Sequence, residues 1–235
     1  MIYIKGFRNF KKSTAQMINA HKTKVQKTAH YYTIGSPGDH IKNFWIICHG
    51  YGQLASNMIR KFTEIDDNST FILAPEGLSR FYWGGVDGNV AASWMTKQDR
   101  LEEIADYSNY LKSLYDTFRI QLPDNVKITL LGFSQGCATQ CRWIMREFPE
   151  FDNLILWAGL LPEDLDYTPY QSYFNSKKII FVYGKTDQYV TSERLKWQED
   201  FSKKQGLKYE TYTFEGRHEI DRVLLKKMAS QLKLE

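Results

Sequence analysis

Lys127-Ile128-Thr129-Leu130-Leu131-Gly132-Phe133-Ser134-Gln135-Gly136-Cys137-Ala138-Thr139-Gln140-Cys141 is the stretch from which the rest of the chain can be read. Its first half, Ile128–Phe133, is apolar almost throughout, and so short a continuous run marks a strand covered on both faces. Gln135–Glu147 follows with helical spacing. Between them, Gly132-Phe133-Ser134-Gln135-Gly136 puts a serine at the apex of a sharp strand–turn–helix junction. A residue there takes strained backbone angles, and glycines two before and two after remove the side chains that would clash. The hydroxyl is left exposed at the amino end of a helix, where N–H groups and the helix dipole favour developing negative charge. That is how a nucleophile is presented.

Outward from this junction the same kinds of segment recur. Phe44–Cys48, Thr70–Leu73, Asn153–Trp157 and Lys178–Tyr183 are further short apolar runs, read as buried strands. Helical spacing is clearest over Asp99–Phe118, through Leu101, Ile104, Leu111, Leu114, Tyr115 and Phe118. Helices are also expected at Ala55–Ile65, Ser192–Lys204 and Glu219–Leu232. Thr28–Ile34 and Lys208–Phe214 mix polar and apolar residues as edge strands do. Buried strands alternating with helices predict an α/β fold: a three-layer sandwich with a mostly parallel central sheet flanked by helices. Its active residues belong at the carboxyl ends of the strands.

No repeat and no Gly/Ser/Pro-rich linker divides the 235 residues, so 28–235 is expected to form one domain. At 43% hydrophobic and 25% charged the chain has a globular composition, and no apolar run is long enough for a membrane span. Residues 1–27 carry Lys5, Arg8, Lys11, Lys12, Lys22, Lys24 and Lys27 and no acid, so the body is slightly acidic despite a net charge of +4. We read 1–27 as a solvated extension without a secretory signal, and Met17 as an alternative start. No nucleic-acid partner is expected of the body. Cys48, Cys137 and Cys141, odd in number, read as buried reduced thiols and point to the cytoplasm. Without a nearby histidine pair they make no zinc site.

A serine hydroxyl is a weak nucleophile and needs a base oriented by an acid. Of His21, His30, His40, His49 and His218, only His218 follows the last strand, in a turn opened by Glu215-Gly216-Arg217. Asp187, just after Lys178–Tyr183, is the expected acid, ahead of Asp164 and Asp166 in the proline-containing Leu161–Pro169 stretch. The run ending at Cys48 leads into His49-Gly50-Tyr51-Gly52-Gln53, a strand exit whose glycines let backbone N–H groups approach a ligand. Tyr51 and Gln135 are the expected oxyanion donors, and His49 is expected to brace the loop.

With these pieces in place the chain resembles small α/β-hydrolases of the phospholipase/carboxylesterase group, which includes acyl-protein thioesterases. The matching segments are His49-Gly50-Tyr51-Gly52, Ala74-Pro75-Glu76-Gly77, Gly132–Gly136, Gly184-Lys185-Thr186-Asp187-Gln188-Tyr189-Val190 and Gly216-Arg217-His218-Glu219-Ile220. The resemblance implies Ser134 as nucleophile, Asp187 as acid, His218 as base, and Tyr51 and Gln135 as oxyanion donors. It implies hydrolysis of carboxylic esters through an acyl-enzyme, with no metal or organic cofactor. Arg217 departs from the pattern, where a small residue commonly stands, and so does the aromatic, glycine-rich segment 78–97.

That segment holds Tyr82, Trp83 and Trp94, expected to line the substrate pocket, with the connection 160–177 as a second wall. The expected partner is a small-molecule ester, and a homodimer is compatible with the sequence. The same triad would serve an acyl-protein thioesterase or a lysophospholipase. A hydrolase-fold binding module without turnover is the non-enzyme alternative.

Overall fold

A computed structural model describes residues 19–233. Seven strands form one sheet: β1 (Tyr31–Ile34), β2 (Asn43–Cys48), β3 (Thr70–Pro75), β6 (Lys127–Phe133), β7 (Asn153–Trp157), β8 (Lys178–Gly184) and β9 (Glu210–Phe214). The spatial order is β1-β3-β2-β6-β7-β8-β9, and every pairing is parallel except the antiparallel edge pair β1–β3.

Alternation of side chains sends each strand into two cores. Phe44, Ile46 and Cys48 of β2 face one side with Ile128 and Leu130 of β6 and Phe181 of β8. Trp45 and Ile47 face the other, with Leu131, Phe133 and Val182. The first core is covered by α2 (Arg100–Arg119), α3 (Gln135–Glu147) and α5 (Ser192–Gln205), the second by α1 (Ala55–Ile59) and α6 (Arg222–Leu232). Each large side chain so buried contributes about 1.5–3 kcal/mol relative to exposure, which holds the layers together. This is the three-layer sandwich the apolar runs predict.

Several expectations need correction. Segment 78–97 contains a two-stranded antiparallel hairpin, β4 (Ser79–Trp83) and β5 (Asn89–Ser93), where the sequence reads as an aromatic loop. Ala55–Ile65 is not one helix: α1 stops at Ile59, and only a short 3-10 turn follows at Thr63–Ile65. Leu101 is 71% exposed and lies off the buried stripe of α2. The last helix starts at Arg222, capped by Asp221, because Glu219 and Ile220 belong to the preceding turn. Part of the 160–177 connection forms α4 (Gln171–Asn175).

Met17 and the first 18 residues lie outside the described residues. Within the described part of the basic leader, Lys22 ion-pairs with Asp99 and Glu102 and Lys27 donates to the Leu78 carbonyl. The three cysteines are free and buried. Burial pushes the Cys141 thiol up to about 12, so it stays protonated. Among the described residues no helix is long and apolar enough to cross a membrane.

The parallel register aligns the strand ends. Cys48 lies beside Gly132, Gly132 beside Leu156, and Leu156 beside Phe181. The segments that leave β2, β6 and β8 therefore emerge along one rim of the sheet.

Candidate active site

Ser134 stands where β6 turns into α3, with φ 53° and ψ −115°, a region L side chains rarely occupy. A Cβ on Gly132 would lie 2.4 Å from the Gly136 backbone, and one on Gly136 would lie 2.1 Å from the Cys48 carbonyl oxygen. Both glycines are demanded by close backbone approach. The Ser134 N–H donates to the Trp157 carbonyl at 2.9 Å, fixing the turn to β7. The hydroxyl makes no capping bond to α3 and has no hydrogen-bond partner among the described residues.

Asp187 leaves the end of β8 and is 6% exposed. Its Oδ1 accepts the Tyr189 N–H at 2.8 Å, and its Oδ2 lies 2.8 Å from His218 Nδ1. A carboxylate only accepts, so Nδ1 carries the imidazole proton and Nε2 is left as the basic nitrogen. The acid loop and the histidine turn are stitched together. Thr186 donates from both N and Oγ1 to the Gly216 carbonyl, at 3.0 and 2.8 Å, and the Lys185 N–H bonds the Phe214 carbonyl. The Trp157 indole N–H holds the Glu219 carbonyl at 2.8 Å. The imidazole packs between Phe133 and Tyr189, at 4.9 and 4.7 Å between ring centres. His218 and Ser134 line one cavity. Among the described residues they share no hydrogen bond in this geometry, and such contacts commonly tighten when substrate binds.

The segment after β2 comes close to the elbow through Gly50, where a Cβ would lie 2.9 Å from the Phe133 ring and 3.2 Å from Ser134 Cβ. The Gly50 N–H is taken by Gln53 Oε1 at 3.1 Å. Neither the Tyr51 nor the Gln135 N–H has a partner among the described residues. Two free donors thus flank the serine. His49 is fully buried, with Nδ1–H donating to the Gly50 carbonyl at 2.8 Å and Nε2 accepting the Gly77 N–H at 2.9 Å. Burial pushes its pKa below the ordinary 6.5, so it serves as a neutral brace.

Further braces escaped the sequence reading. Glu76, 1% exposed, accepts the Ala55 N–H at 3.1 Å and is held by Arg80 Nε at 2.7 Å, which fixes where the loop enters α1. The Gln135 side chain accepts the Trp94 N–H at 3.2 Å and donates to the Met95 carbonyl at 3.0 Å. The signal for Glu76 was present: a lone carboxylate at the exit of an apolar strand has to be paired if it is buried.

The expected pocket aromatics are not pocket walls. Trp94 is 1% exposed and donates its indole N–H to the His49 carbonyl at 2.8 Å, anchoring the loop from within the core. Tyr82 and Trp83 are more than half exposed on the hairpin, and Trp83 packs on Gly52 and against the Tyr51 ring. Neither ring lines the cavity that holds Ser134. The cavity at Ser134, about 740 Å³, is walled instead by residues 158–164, by α3 and α2 through Arg142 and Arg100, and by Tyr189, Arg194 and Trp197. In the 160–177 connection, Tyr167 and Phe174 are buried in the core. Asp164 is tied to Arg142 and Arg100 and Asp166 to Thr168, so neither meets His218.

The architecture has many solved counterparts. Maize (Zea mays) acyl-protein thioesterase 2 superposes with a TM-score of 0.68 at 15% identity, covering 88% of this chain and 99% of that one. The esterase PE8 gives 0.64 at 16% identity over 88% and 99%. SOBER1 of Arabidopsis thaliana gives 0.61 at 18% identity over 82% and 99%. At these identities the likeness is one of fold. No curated protein matches in sequence. The sequence profile of the family described as Serine hydrolase (FSH1) matches residues 48–224, well over half of the chain, and the chain belongs to that serine hydrolase family.

Proposed function

We propose that this serine hydrolase is a carboxylesterase that works through an acyl-enzyme on Ser134. The carrying observation is the 2.8 Å bond from Asp187 to His218 on the cavity that also holds the strained Ser134. His218 Nε2 takes the hydroxyl proton as Ser134 Oγ attacks the ester carbonyl. The tetrahedral oxyanion receives the Tyr51 and Gln135 N–H groups. The imidazolium, stabilised by Asp187, returns the proton to the departing alcohol. Water then loses a proton to the same nitrogen, attacks the acyl-serine, and the carboxylic acid leaves as Ser134 recovers its proton.

Support for a small ester over a long acyl chain comes from the cavity wall, where Arg100, Arg142 and Arg194 break up an otherwise largely apolar lining. The free, buried cysteines suit a reducing compartment, in keeping with a cytoplasmic enzyme. The test is covalent labelling by a fluorophosphonate together with turnover of short 4-nitrophenyl esters. Both are expected in the unaltered protein and absent in Ser134→Ala. Undiminished turnover in that variant would refute the assignment. Faster turnover of long-chain thioesters than of short esters would favour the thioesterase alternative.

A further inference from the structure

The cavity that ends at Ser134 carries more charge than ester hydrolysis requires. Arg142, from α3, grips Asp164 with two nitrogens, at 3.3 and 2.8 Å, and Arg100, from α2, reaches the same carboxylate at 2.5 Å. Burial alone would raise the Asp164 pKa, but Arg142 and Arg100 hold it below the usual carboxylate range, so it is ionised at neutral pH. Two guanidinium groups on one carboxylate leave a positive charge over. The Arg142 side chain is only 11% exposed, and charge shielded from water in this way is stabilised by an added counter-charge.

A third cation stands on the same cavity. Arg194, in the first turn of α5, donates to the Tyr189 carbonyl at 3.3 Å and has no carboxylate partner among the described residues. Glu163 is the other acid on the wall. Three guanidinium groups therefore face two carboxylates. The volume, about 740 Å³, lies within the roughly 300–1,000 Å³ usual for small-molecule sites.

We propose that this site takes an ester that also bears an ionised carboxylate, such as the monoester of a dicarboxylic acid. The carboxylate seats against Arg194 and the Arg100–Arg142 pair while the ester carbonyl lies at Ser134. The guanidinium fork matches a carboxylate in two-point geometry. This specificity rests on the serine carboxylesterase reading of the site.

Calorimetric titration of Ser134→Ala protein with monomethyl adipate and with dimethyl adipate isolates recognition from turnover. The monoanion is expected to bind at least tenfold more tightly, with an advantage that shrinks as salt is raised. Arg194→Gln in the same background is expected to reduce the advantage below threefold, and Arg100→Gln serves as a second variant should the first fail to fold. Equal affinity for the two esters overturns the proposal, as does an advantage that survives both substitutions. Turnover of 4-nitrophenyl acetate by the unaltered protein reports separately on the hydrolase reading. Turnover without carboxylate preference sinks the specificity alone, and preference without turnover sinks the esterase assignment alone.

Discussion

Trp157 reaches from the end of β7 to hold the carbonyl of Glu219, the residue directly after His218, at 2.8 Å. The indole is fully buried, while Glu219 itself is exposed. Replacing it with phenylalanine keeps an aromatic ring but removes the donor that holds that carbonyl, a loss of about 0.5–1.5 kcal/mol. Trp157→Phe is expected to lower the thermal midpoint and to reduce kcat more than it raises KM. Wild-type kcat in a folded Trp157→Phe protein would show that the turn needs no such clamp.

Asp187→Asn should act through the imidazole tautomer. The amide oxygen can still accept from Tyr189, which leaves the amide N–H₂ facing Nδ1 and drives the proton onto Nε2. The base is then lost with little change in shape. Turnover of a 4-nitrophenyl ester is expected to fall by about 10⁴-fold, the scale known for such a change in a serine triad, with the thermal midpoint little altered.

Backbone strain at the elbow predicts a gain in stability when function is removed. Ser134→Gly relaxes φ 53°, ψ −115°. Strain of this kind costs about 1–3 kcal/mol, partly offset by the freedom glycine adds to the unfolded chain. Denaturant unfolding should show Ser134→Gly to be more stable by ~1 kcal/mol, while Gly136→Ala, blocked by the Cys48 carbonyl, should be strongly destabilised.

His49 makes stability depend on pH. Its folded pKa lies below the ordinary 6.5 because burial disfavours the imidazolium, so the unfolded chain takes up the proton first as pH falls. Its contribution is complete above about pH 6.5 and declines below it until the folded pKa is reached, by at most about 1.4 kcal/mol per pH unit. Urea midpoints at pH 7.5 and 5.5 should differ less in His49→Gln than in the parent. An equal difference would remove His49 from the account.

How far the sequence could be read follows from how local each signal is. The apolar runs of β2, β6, β7 and β8 specify buried strands on their own, and Gly132–Gly136 specifies its turn by sterics between near neighbours. Ser134 and Asp187 stand out in the sequence because each follows such a run, whereas His218 follows the mixed edge strand β9 and stands out only by its place past the last strand. The hairpin was not legible, since Ser79–Trp83 and Asn89–Ser93 pair with each other at a glycine-rich turn and only the short stretch Ala91–Ser93 is buried. Trp94 was misplaced for a related reason: a tryptophan fills a core or lines a pocket equally well, and only the His49 carbonyl 45 residues earlier decides which. Arg142 carries no local signal at all, because its partner Asp164 lies 22 residues further along the chain.

The doubled grip of Thr186 on the Gly216 carbonyl makes Asp187 and His218 passengers on one carrier, whereas Ser134 rides on another. Breathing between β6 and β8 would then alter the serine-to-imidazole gap while leaving the imidazole-to-carboxylate contact untouched. Reactivity toward a covalent probe should fluctuate with such motion, and the Nδ1 proton resonance of His218 should stay steady throughout.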